Sequence, residues 1–387
     1  MSRYRTTRHS DMPAPKSYFM RFVIVLLIIL VFVVLFPPWK TSDEINESVG
    51  QRVMKKVAQV EPKKAGLIKR SATVLDTKLI IKVISDDPAK VQQAVDKIYK
   101  ETVRVINMLD ADKKDSPVAE INAAAGKGGV KVSDELLDLI ERCKELSLKT
   151  KGKFDITLRP ILEMWNFDQL KPVMAEAKEV EKKLPLVGAD KIRIDKGRSV
   201  VFLPEKGMGL DFRAVVRAYV LERARLVMRE MELSNYFIFM GSDAICSGSD
   251  MGTGWQIVLQ HPRKAWNYYA TVTLKGEQSL GNAFDFIHFF QRKGFRYHEI
   301  LEPETGIPHQ HSRVVSALAS NPLEAKALAY AGFVLGQKDG LKFADEIKAA
   351  LVIMNRRNEA KASKAMQPVI EIKEGKNAEL NQNTHQD

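Results

Sequence analysis

The sequence predicts an α+β domain preceded by one N-terminal transmembrane helix. Three observations carry this. An unbroken apolar run occupies residues 22–36. Beyond it, stretches of alternating apolar residues mix with stretches at helical spacing, without strict strand–helix–strand alternation. The 387 residues are 45% hydrophobic and 28% charged, a globular balance that allows a sizeable core.

The apolar run, FVIVLLIILVFVVLF, extends to Tyr18 and Trp39, giving about 20 residues that can cross a bilayer as a helix. Arg3, Arg5, Arg8, Lys16 and Arg21 precede it against Asp11 alone, whereas Asp43, Glu44 and Glu47 accompany Lys40 beyond it. The positive-inside rule therefore puts the N-terminus in the cytoplasm and the rest of the chain outside. A cleaved signal peptide has a shorter apolar core ending in small residues. This run ends in Phe36-Pro37-Pro38-Trp39, which favours an uncleaved anchor. The expected location is a bacterial inner membrane, single-pass, with the domain in the periplasm or outside.

The expected organisation is a basic cytoplasmic N-terminus (1–17), an anchor (18–39), a charged spacer (40–68), a folded domain (69–358) and a polar, mobile tail (359–387) relieved only by a short VIEI stretch. Strand alternation begins at Ala72 and continues through 79–85. Asp86-Asp87-Pro88 then caps a helix over 89–109. Ser133-Asp134-Glu135 precedes a second helix over 136–149, which Lys151-Gly152-Lys153 ends. Residues 191–203 read as a strand pair around Lys196-Gly197, and 215–231 as a long helix. Residues 236–240, 255–259, 270–274 and 350–354 read as strands, and 321–335 as a helix.

The formal net charge is +12, with basic residues concentrated beside the apolar run. That pattern reflects topology and lipid headgroups, and no aromatic-interleaved basic patch points to nucleic acid. Cys143 and Cys246 stand far apart in no metal-type spacing and read as two buried thiols. Trp165 and Trp255 read as core residues.

From Thr150 the sequence runs T-K-G-K-F-D-I-T-L-R-P-I-L-E-M-W-N-F. It resembles the T-x-G-x-F-D-P-T-x-x-P-L-x-x-x-W-x-F signature of the ApbE-like FAD:protein FMN transferases. Ser116 to Asn122 and the Val132-Ser133-Asp134-Glu135-Leu136 stretch resemble that family's upstream motifs. Gly241-Ser242-Asp243, Gly248, Trp255 to Pro262 and His298 to Pro308 resemble its downstream ones. Order and spacing hold from about Ser71 to Met354. The resemblance implies FAD and a divalent cation, usually Mg²⁺. It also implies transfer of FMN to a Thr or Ser of an acceptor, often part of a membrane redox complex.

Several positions depart from the family pattern. The family's D-L-G-G-I-A-K-G-Y-A-x-D is in register with residues 211–222. That register makes Asp211, Arg213, Arg217 and Tyr219 cofactor-binding candidates, alongside Gly241, Asp243, His298, Thr305 and Gly306. Arg213 replaces a glycine where backbone must approach the ligand, so it is expected to fill the flavin site or reach across it. Leu75-Asp76 places a carboxylate where an anionic cofactor would pass. The family's metal-binding A-D-A-L-A-T reads Ala325-Lys326-Ala327-Leu328-Ala329-Tyr330 here. An ammonium cannot ligate Mg²⁺, so no metal is expected at Lys326 and Tyr330 and no residue is assigned a catalytic role. Leu280-Gly281-Asn282 is the nearest match to the family's T-S-G element, and the family histidine falls on Glu299. His298, His309 and His311 flank one turn and read as packing or surface histidines rather than a metal site.

Three functions follow. The first is a membrane-anchored, catalytically impaired family member that binds a partner or an anionic ligand, with Lys326, Arg213 and Arg217 holding the anion. The second is an active transferase that flavinylates a membrane redox protein. The third is a structural subunit of an envelope assembly.

Overall fold

The computed structural model describes residues 66–373 except 75–76, 168–169, 251 and 265–266. The chain divides into units Met1–Val57 and Ala58–Asp387, and every described residue belongs to the second. Among the described residues no helix is long and apolar enough to cross a membrane. The expected anchor, 18–39, lies outside them, as do Leu75 and Asp76.

Strands β1 (Leu67–Val74) and β2 (Thr77–Ile84) form an antiparallel hairpin, pairing Leu67 with Ile84 and Val74 with Thr77. Asp87 caps helix α1 (Pro88–Leu109) by accepting from the Lys90 amide, and Pro88 fits the first turn because that turn needs no amide donor there. Helix α2 (Pro117–Ala123) is capped by Ser116, and α3 (Asp134–Lys149) by Ser133, with Asp134 and Glu135 favourably placed at its positive end. A small antiparallel sheet joins β3 (Val130–Lys131), β4 (Arg193–Asp195) and β5 (Val200–Phe202); short helices α4 (Arg159–Leu162) and α5 (Ala177–Lys183) precede β4 in the chain, and the long α6 (Val216–Glu230) follows β5.

The remaining chain supplies β6 (Tyr236–Met240), β7 (Asp243–Ser247), β8 (Trp255–Gln260), β9 (Tyr268–Leu274), β10 (Gln278–Phe284), β11 (Phe289–Arg292), β12 (Phe295–His298) and β13 (Ser312–Ala319). Helix α7 (Pro322–Glu346) and β14 (Ala350–Asn355), β15 (Ala360–Ala362) and β16 (Ile370–Ile372) complete the order. Eight strands form one antiparallel sheet in the order β1-β2-β6-β7-β10-β13-β14-β15. Its residues alternate between two cores. Val352 and Met354 pack with Trp255, Leu259 and Val272 of the β16-β9-β8 sheet, while Leu351 and Ile353 pack with Leu328 and Phe333 of α7.

Four features differ from expectation. Strand β1 begins at Leu67, inside the stretch expected to be a spacer, because its pairing with β2 extends the hairpin to Ile84. Strands β10 and β13 are not evident from the sequence, because Gly281, Asn282 and several Ser and Ala residues dilute their strand character. Helix α7 continues past residue 335: Gly336 (φ 77°) breaks it, and the helix then resumes to Glu346. Within the stretch expected to be mobile after residue 358, residues 360–362 instead form β15 on β14, and the excepted VIEI stretch supplies β16, which pairs with β9. Ser363 anchors it by accepting from the Leu351 amide and donating to the Ala349 carbonyl, and Met366 is fully buried. These few anchors outweigh the stretch's polar composition. Trp165 and Trp255 are core residues, and both cysteines are buried free thiols.

Candidate functional site

The signature residues first act on the backbone. Asn122 grips Leu210 in both directions, its amide donating to the carbonyl (3.0 Å) and its side-chain oxygen accepting from the amide (2.6 Å). The Asp211 amide donates to the Ile156 carbonyl at 2.8 Å. Asp155 accepts from the Thr157 amide (2.7 Å), the Thr157 hydroxyl (2.5 Å) and the Ala189 amide (2.9 Å), and Thr157 accepts from the Gly188 amide. Burial raises the Asp155 carboxyl above the usual range, and these three donors oppose it. Asp155 and Thr157 thus tie their loop to Gly188 and Ala189, while Asn122 and Ile156 fix where Leu210 and Asp211 run.

Those loops line a cavity of about 40 Å³ bordered by Phe154, Asp155, Asp211, Arg213, Glu299 and Tyr330, among others. That is room for a few waters at most, against roughly 300–1,000 Å³ for ordinary small-molecule sites. Two side chains account for the shortage. Arg213 folds back on Asp211, with Nε at 2.8 Å and Nη2 at 2.7 Å from Oδ2. Tyr330 and Phe154 meet edge to face, 6.4 Å between centroids. Burial raises the Tyr330 phenol well above its ordinary range, so it stays neutral.

Beneath Tyr330, one turn earlier on α7, Lys326 is 1% exposed, as is Asp243. The Lys326 ammonium donates to the Asn282 carbonyl at 2.5 Å and to Asp243 Oδ1 at 3.1 Å, with Oδ2 at 3.0 Å. Asp243 Oδ1 also accepts from the Asn282 amide at 2.9 Å. The Asn282 side chain donates to the Ser242 carbonyl and accepts from the Ser316 hydroxyl. Gly281 makes this closeness possible: a Cβ there would lie 2.5 Å from Ala325 C and Lys326 N. Burial lowers the Lys326 pKa, Asp243 opposes the shift, and Arg217 adds to it. Arg217 Nε, buried without a hydrogen-bond partner, lies 4.0 Å from Asp243 Oδ2.

The divalent ion that the resemblance implies does not fit these residues. Mg²⁺ needs oxygen donors at about 2.0–2.1 Å. Here the Asp243 carboxylate and the Asn282 carbonyl already receive an ammonium, and α7 offers a phenol where a second oxygen ligand is required.

The predicted cofactor residues separate into groups. Asp211 and Arg213 border the cavity, and Arg217, Gly241 and Asp243 gather around Lys326. Gly241 (φ 65°) makes the turn, and a Cβ there would lie 3.0 Å from Thr77 and 3.2 Å from Arg217. The remaining candidates do not line the cavity. Tyr219 donates to Glu135 at 2.8 Å. Thr305 is exposed, and Gly306 (φ 66°) packs against Ile161 and Val180, its carbonyl accepting from the Trp165 indole at 3.3 Å. His298 points to the opposite side from Glu299. Its Nδ1 accepts from the Ile300 amide, so Nε2 carries the proton and donates to the His309 carbonyl at 2.9 Å. Among the described residues no cluster of three His, Cys, Asp or Glu could hold a metal. Asn282 and Ser316 were not singled out in the sequence; only the Leu280-Gly281-Asn282 register hinted at the first.

The sequence model of the ApbE family matches residues 75–354. A FAD:protein FMN transferase of Klebsiella pneumoniae (strain 342) is 25% identical over 291 residues, covering 74% of this chain and 89% of that protein. A FAD:protein FMN transferase of Treponema pallidum (strain Nichols) is 26% identical over 312 residues, covering 76% and 86%. The crystal structure of the ApbE protein of Thermotoga maritima superposes with a TM-score of 0.72 at 25% identity, over 78% of this chain and 99% of that one. With its signature loops in place and the match spanning most of its length, the chain belongs to the ApbE family.

Proposed function

We propose that this chain is a non-catalytic member of the ApbE family, held at a bacterial inner membrane by residues 18–39 and acting by binding a partner outside the cytoplasm. The observation that carries the reading is the buried Lys326 ammonium bonded to Asp243 and to the Asn282 carbonyl. It supplies one fixed positive charge where metal-assisted phosphoryl transfer needs an ion that can bridge to substrate oxygens. Arg213 and Tyr330 narrow the adjoining cavity and support the same conclusion. Of the three residues expected to hold an anionic ligand, Lys326 and Arg213 are each paired with a carboxylate, which favours a partner over an anion held by Lys326, Arg213 and Arg217 together.

The test is calorimetric titration of the purified chain with FAD, with and without Mg²⁺, beside an assay for FMN transfer to a threonine-containing acceptor. The reading expects no Mg²⁺-dependent heat and no transfer. Turnover abolished by a chelator would instead establish an active transferase in which Lys326 swings aside.

A further inference from the structure

A second cavity, of about 130 Å³, lies on the side of the His298–Glu299 step opposite the site above: His298 borders this one and Glu299 the other. Four separate segments supply arginines to it, namely Arg263 after β8, Arg296 on β12, Arg313 on β13 and Arg356 after β14. Among the described residues one carboxylate lines it. Asp285 is held by Arg263, whose Nη1 lies 2.8 Å from Oδ1 while Nη2 donates to Oδ2. Arg296, Arg313 and Arg356 therefore keep their charge without a carboxylate partner. Arg296 stacks on Phe289 at 3.8 Å, and Arg313 donates to the Arg356 carbonyl at 2.6 Å.

Polar atoms are also left over. Arg313 Nε and the hydroxyl of Ser312, a residue 2% exposed, are buried without hydrogen-bond partners, although both residues border the cavity. Buried donors without partners are costly, and native structures usually satisfy them. Like charges crowded in a partly buried space are costly as well. Burial and the neighbouring Arg263 lower both the Arg296 and Arg313 pKa values. The histidines do not relieve this arrangement, since burial keeps both neutral near pH 7, each pushed down to about 4.

We propose that this cavity binds a phosphate group, with Arg296, Arg313 and Arg356 supplying charge and Ser312 a hydroxyl donor. Guanidinium forks match the geometry of a tetrahedral oxyanion, and the space admits a group of several heavy atoms. The proposal stands independently of the Lys326 reading, because it shares no charged residue with that site.

Inorganic phosphate is the probe, titrated calorimetrically into the full chain against chloride at matched ionic strength. One saturable site for phosphate is expected, together with a rise in the thermal midpoint that chloride does not reproduce. Arg356→Gln, on an exposed residue, should weaken phosphate binding by about tenfold without moving the thermal midpoint of the ligand-free chain, and Arg313→Gln should weaken it by at least as much. Vesicles containing phosphatidylglycerol, compared with phosphatidylcholine alone, separate a lipid headgroup from a free phosphate. Binding to charged vesicles that inorganic phosphate competes away, and that Arg356→Gln weakens, identifies the headgroup as the source. If phosphate and chloride act equally, or if Arg356→Gln binds phosphate as the parent does, the proposal is overturned.

Discussion

The Lys326 ammonium sits 3.0 Å from the Asp243 carboxylate with both residues almost fully buried. Removing one partner of such a pair strands the other charge, at a cost of about 3–5 kcal/mol, whereas removing both can be close to neutral. Lys326→Met and Asp243→Asn should each lower unfolding stability by that amount. The double variant should lose clearly less than the sum. Urea denaturation of the four proteins checks this, and strict additivity would refute the pairing.

Lys326→Asp with Tyr330→Thr should not create Mg²⁺-dependent FMN transfer. Arg213, bonded to Asp211, still occupies the approach from which the family's glycine keeps side chains away. A flavinylation assay on the double variant decides the matter, and measurable transfer would remove the blockage argument.

Gly281→Ala should destabilise the domain by about 1–3 kcal/mol. The added Cβ meets backbone of Ala325 and Lys326 at 2.5 Å, and no flexible side-chain end can give way. A thermal midpoint equal to the parent's would mean that β10 and α7 are less tightly apposed than described.

Acid should weaken the fold through His298. Burial lowers its folded pKa from 6.5 to about 4, and the groups facing it are the His309 carbonyl, the Ile300 amide, the Phe333 ring, Asp285, Arg296 and Arg263. Between those two values the unfolded chain binds the extra proton. Stability is therefore intact above pH 6.5, falls as the pH drops toward 4, and levels off below, a loss on the order of 3 kcal/mol. His298→Gln should remove its share of this slope and lower the plateau, while His309, also pushed down to about 4, keeps its own share until it too is replaced.

Cys143 and Cys246 should resist a thiol reagent at pH 8 until the chain unfolds. Burial pushes their thiols up to about 12 and about 11. Rapid labelling of either in the native protein would show that its shell opens.

Much of this was legible in the sequence where local chemistry sets the outcome. Asp87 and Ser133 announced their helices through capping, and the motif spacing held across the span that the family model matches. What the sequence could not give was contact between distant segments. Nothing local to Asn282 tells that its carbonyl will meet Lys326, and Arg263, Arg296, Arg313 and Arg356 are scattered over almost a hundred residues and three sheets until the fold gathers them around one cavity. Strands β10 and β13 escaped notice because they are covered on both faces, so small and polar residues replace the alternation that marks a half-exposed strand.

The short strand β15 has a bearing on self-association. On that side of the large sheet the last long strand is β14, whose outer amides and carbonyls would stand open as a template for another chain if β15 were absent. Three paired residues, Ala360 to Ala362, close that rim, and the buried Met366 keeps the closure in place. A truncation at Asn355 would therefore bare a hydrophobic edge and invite stacking of one molecule on the next, while the cavity around Arg213 and Tyr330 stayed as it is.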